Sequence, residues 1–125
     1  MNEGEETNGE RSVTAIRSRA EIDEERARGA YETALALLRG EHVPAPRMYK
    51  DITTSVTWHE EGLECSAMPF HGTPLQILKR ARNHYERLGW ELREEMKQIS
   101  KLTNRHDFLN GQLAIVESRL KQWVN

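Results

Sequence analysis

Apolar and polar positions change their period twice along this 125-residue chain. From about Ser18 to Arg39 the apolar residues recur every three or four positions: Ala27, Tyr31, Ala34, Leu35 and Leu38, with Ile16 and Ala20 extending the stripe. Glu24, Glu25, Arg28 and Glu32 fall on the opposite side, so the segment predicts an amphipathic helix. Ser18 and Glu21 supply a capping box at its start, and Gly40 a favourable residue just past its end.

After the connector EHVPAPR (41–47), whose two prolines favour an extended path, the period drops to two. In DITTSVTW, Ile52, Thr54, Val56 and Trp58 point one way and Thr53, Ser55 and Thr57 the other. HEEG (59–62) predicts a turn, and LECSAM alternates again with Leu63, Cys65 and Ala67 on one face. This is a β-hairpin. A two-stranded hairpin is marginal alone in water, so its apolar face needs a helix or its edge a second subunit.

From residue 74 the period returns to helical. Thr73 and Gln76 form a second capping box around Pro74. With Leu78 as position a of a heptad, the a sites are Leu78, Tyr85, Leu92, Ile99, His106, Leu113 and Leu120. The d sites are Ala81, Leu88, Glu95, Leu102, Leu109, Val116 and Trp123. Only His106 and Glu95 interrupt this seam, which predicts a long coiled-coil helix of roughly 75 Å that pairs with its own copy. The alternative is an antiparallel helical hairpin broken near 103–107, where Asn104 or Asp107 caps a second helix.

The fold expected is therefore α+β and helix-dominated. An acidic, disordered tail covers 1–11, a helix plus β-hairpin covers 12–73, and an oligomerisation helix covers 74–125. The tail lacks the apolar run of a signal peptide, no 18-residue apolar stretch predicts a membrane span, and a single cysteine forbids an intrachain disulfide. These features suggest a cytoplasmic protein.

Charge adds one asymmetry to a chain of net charge −2. Residues 1–40 carry nine acids and six bases, residues 41–73 five acids and two bases, and residues 74–125 six acids and ten bases. Lys79, Arg80 and Arg82 lie near the positive end of a helix dipole, which disfavours them. They call for an anionic neighbour. Carboxylates of Glu60, Glu61, Glu64 or the first helix are the internal choice. A phosphate, nucleotide or nucleic acid held by His71, Lys79, Arg80, Arg82 and Arg87 is the external one, with Trp90 offering a stacking face.

Trp90 falls on the outer side of the heptad beside Gly89, which suggests that something packs there. His59, Cys65 and His71 resemble zinc or nucleophile chemistry by residue type, with His42 or His84 to complete a set. Their spacing matches no compact metal motif, and no phosphate loop or nucleophile elbow accompanies them. No cofactor or metal is expected. The function expected is that of a non-enzymatic, homo-oligomeric adaptor, regulator or inhibitor, a homodimer first of all, that binds an unidentified protein partner. A nucleic-acid or nucleotide-binding protein is the alternative, and a small metal- or cysteine-dependent enzyme the second.

Overall fold

A computed structural model describes residues 18–43, 49–64 and 67–123. The expected acidic tail, Ile16, most of the proline connector and Cys65 lie outside these residues. Helix α1 spans Arg19–Arg39, β1 Thr54–His59, β2 Ala67–Gly72, α2 Pro74–Lys97 and α3 Asn104–Gln122.

The capping chemistry sets the ends of α1. Glu21 N–H donates to Ser18 Oγ at 3.1 Å, and Ser18 N–H donates to Glu21 Oε1 at 2.9 Å. Gly40 stops the helix in the left-handed region, φ 79°. The buried face differs from the expected stripe. It consists of Ala30, Thr33, Ala34 and Leu38, whereas Ala27 is exposed and Tyr31 is 40% exposed. Small side chains let α1 approach α2 and β1 closely, and a buried Tyr31 would hold it away.

The hairpin is antiparallel, with Val56 opposite Phe70 and Trp58 opposite Met68 on the buried face. The first arm follows the expected alternation. The second arm starts later, at Ala67, and the inward residues are Met68 and Phe70, while Ala67 is exposed. Side chains from elsewhere explain the shift. Glu60 is drawn into the interior, and Gln112 accepts from Glu64 N–H at 2.6 Å and donates to Gly62 O at 2.7 Å. Residues after His59 are therefore tethered as a loop, and Leu63 is buried from the loop instead of from a strand. Pro69 is tolerated because a two-stranded sheet has only edge strands.

The continuous helix expected over 74–124 is replaced by two. α2 stops at Lys97 and α3 is capped by Thr103, whose Oγ1 accepts from His106 N–H at 3.0 Å. The break lies at 98–103, just before the 103–107 position of the hairpin alternative. Local side-chain hydrogen bonds end the helix: Ser100 Oγ accepts from Leu102 N–H at 3.1 Å, and Thr103 Oγ1 donates to Ser100 O at 3.0 Å. The helices return antiparallel, joined by Arg93–Glu117 and Arg105–Glu95, each at 3.0 Å. An antiparallel pair needs an apolar seam on each arm, which is why the heptad survives on both sides of the turn.

One core results. Ala34 and Leu38 of α1, Val56, Trp58, Met68 and Phe70 of the sheet, Ile77, Ala81 and Tyr85 of α2, and Val116 and Trp123 after them form a single buried cluster. The hairpin's apolar face thus rests on helices of its own chain.

Candidate functional site

Two regions combine tryptophan with cations, and they differ in every other respect. The first is internal. Glu60 follows Trp58 by two residues, so the alternation of β1 turns it inward, where it is 7% exposed. Arg119 of α3 meets it with two parallel hydrogen bonds, Nε to Oε1 at 2.9 Å and Nη2 to Oε2 at 3.0 Å. Tyr85 O–H donates to Glu60 Oε1 at 2.8 Å, and Trp58 Nε1–H donates to Tyr85 Oη at 3.1 Å. The guanidinium also lies 5.1 Å from the Trp58 ring and 5.8 Å from the Trp123 ring. Trp123 Nε1–H closes the network on Leu38 O at 3.0 Å.

Burial alone would raise the Glu60 pKa. The hydrogen bonds from Arg119 and Tyr85 and the charge of Arg119 outweigh it and hold the carboxyl below its ordinary value. Burial, and then the Glu60 carboxylate, push the Tyr85 phenol well above its ordinary value. At neutral pH the group is a carboxylate, a guanidinium and a neutral phenol, each with partners inside the chain. It joins the loop after β1 to α2, α3 and the end of α1. An open groove of about 760 Å³ runs over this network, lined by His59, Glu61, Ile115 and Ser118 among others.

The second region is the outward side of α2. Trp90 is 61% exposed there, although Trp58 and Trp123 are buried. Gly89 beside it faces inward, and a methyl group on it would lie 3.6 Å from Val116. No family model, curated protein or solved structure matches the chain. Its chemistry therefore has to be read from these two regions.

Of the cations near the start of α2, Arg80 is held by the chain itself: its Nη1 donates to His71 O, directly ahead of the helix. Lys79, Arg82 and Arg87 make no ion pair among the described residues. Among the described residues none of the expected hairpin carboxylates, Glu60, Glu61 or Glu64, pairs with them; Glu60 is committed to Arg119. Lys79, Arg87 and Trp90 lie on the exposed surface of α2, while Arg82 is half-buried toward Leu120 and Lys121 of α3.

His71 sits on the exposed face of β2, with Nδ1 2.8 Å from Ser55 Oγ. His59 lies four strand residues along from the position opposite His71, roughly 13 Å away, too far to share one ion. Among the described residues no group of His, Cys, Asp and Glu is arranged to hold a metal. The seam expected between copies is largely used within the chain. Tyr85, Leu109, Val116 and Trp123 are buried, and Leu78, Leu88, Leu92, Ile99, His106, Leu113 and Leu120 are half-buried. Leu102, at the turn between α2 and α3, is 96% exposed. No helix is long and apolar enough to cross a membrane among the described residues.

Proposed function

We propose that this chain is a non-enzymatic interaction protein that binds a macromolecular partner through the outward side of α2. Trp90 carries the reading. An indole left 61% exposed, on a helix that buries Ile77, Ala81, Tyr85 and Gly89 on its other side, is a large apolar surface that the described residues leave uncovered. Tryptophan and arginine are the residues that most often anchor interfaces, and Arg87 stands one turn before Trp90. The internal network supports the reading from the other side, since its ionised groups are consumed by one another.

A second reading rests on Lys79, Arg82 and Arg87, which make no ion pair among the described residues and suit a phosphate backbone with Trp90 as a stacking platform. Immobilised wild-type chain and the Lys79→Glu/Arg87→Glu/Trp90→Ala variant, compared for capture from the native cell extract, test both. The interaction reading expects macromolecules retained by the wild type and lost by the variant. Retention of nuclease-sensitive material with a steep salt dependence would select the second reading. Equal retention by both chains would overturn the assignment of this surface.

A further inference from the structure

The outward side of α2 carries both signs of charge, and their order matters. Near its middle stand Glu86, Arg87, Trp90 and Glu91, all exposed. Glu86, Arg87 and Glu91 make no ion pair among the described residues. Arg87 and Glu91 are four apart, yet they do not pair along the helix; with the cation on the N-terminal side, this is the weaker orientation for such a pair.

Resting on the interaction reading above, we infer that the partner on this surface is a second copy of the chain, with the two α2 helices packed antiparallel about a two-fold axis near residue 89. An antiparallel two-fold centred there brings residue i opposite residue 178 − i. Arg87 of one protomer then meets Glu91 of the other, and the symmetric pair forms by the same operation. The two Trp90 rings lie on either side of the axis, offset by about 3 Å along the helices, within reach of each other's faces. Glu86 falls close to the position of Arg93 in the other protomer, a cation already paired with Glu117 of its own chain, so Arg87–Glu91 is the pair that sets the register. The face is thus complementary to itself when antiparallel and repulsive when parallel, because parallel packing sets Arg87 against Arg87. Nucleic acid is disfavoured at this point of the helix, since Glu86 and Glu91 flank the indole. This seam is distinct from the heptad face, which is consumed by α3.

Sedimentation equilibrium of the full chain tests the inference directly. The expected result is a monomer–dimer equilibrium whose dissociation constant rises about tenfold or more in Trp90→Ala. Arg87→Glu and Glu91→Arg should each weaken it similarly, and Arg87→Glu/Glu91→Arg should recover most of the loss. All three substituted positions are on an exposed surface, so an unchanged melting curve, recorded at a concentration where the chain is monomeric, confirms that the four variants are folded. A dimer indifferent to every variant would overturn the inference by placing the copies elsewhere. So would a wild type that stays monomeric at high micromolar concentration. If that monomer still loses its captured partner with Trp90→Ala, only the second copy is wrong; if capture is unaffected, the reading of the surface fails with it.

Discussion

Trp58 with Arg119 and Trp90 with Arg87 are the same two residue types in opposite circumstances. In the interior, Arg119 spends its donors on Glu60, on Leu38 O and on the Gln122 amide, and its flat face is near two indoles. On α2, Arg87 has no ion pair among the described residues and Trp90 has water on most of its surface. The lesson is that residue type does not assign a role; the degree to which polar groups are already satisfied does. A satisfied group holds the fold together, and an unsatisfied one is available to a partner.

The comparison breaks first at Arg119. Arg119→Ala leaves a buried carboxylate without its counter-charge, and such losses cost about 3–5 kcal/mol. Urea denaturation should show it, whereas Trp90→Ala should change stability by no more than about 0.5 kcal/mol. Comparable losses at the two sites would erase the distinction. Next, Tyr85→Phe removes the donor to Glu60 and the acceptor of Trp58 Nε1–H, and should cost about 1–3 kcal/mol in the same assay.

Acid sharpens the contrast. Glu60 titrates lower in the folded chain than its unfolded value near 4.5, so as pH falls the unfolded chain binds the proton first. Its contribution is complete above about pH 4.5 and declines as pH drops through the folded value. Urea midpoints should fall over that range in the wild type and less steeply in Glu60→Gln. The smallest effect is a gain: Gly111 lies exposed in α3 with nothing near its missing side chain, so Gly111→Ala should stabilise by about 0.5–1 kcal/mol in thermal melts.

Much of the fold was legible in local chemistry. Ser18–Glu21, Gly40 and Thr73–Gln76 fix helix ends through short-range hydrogen bonds, and short-range signals are written in consecutive residues. The inward face of β1 follows for the same reason. What escaped depends on contacts distant in sequence. The length of the loop after β1 is set by Arg119 and Gln112, 59 and 50 residues from their partners Glu60 and Gly62. The α2–α3 break was obscured because Ser100 and Thr103 compete with a heptad whose phase happens to continue across the turn.

Among the described residues Glu60 is the buried charge, and its position carried a visible signal. Ile52, Val56, Trp58 and Glu60 share a period of two, and the alternation continues through the glutamate into the interior. Assigning it to the HEEG turn gives residue type precedence over position. Of the candidate site, Trp90 was legible because the heptad puts it on the outer side, away from the apolar seam. That Lys79 and Arg87 make no ion pair among the described residues was not, since it depends on where the carboxylates of the fold end up.

The claim that the outward side of α2 is where this protein meets another macromolecule is tested most directly by photo-crosslinking from position 90. A benzophenone side chain placed there in the full chain, and irradiated in the native cell, should give a discrete macromolecular adduct. The same probe at Glu24, on the exposed side of α1, should not. Equal labelling from both positions, or none from position 90, would contradict the account.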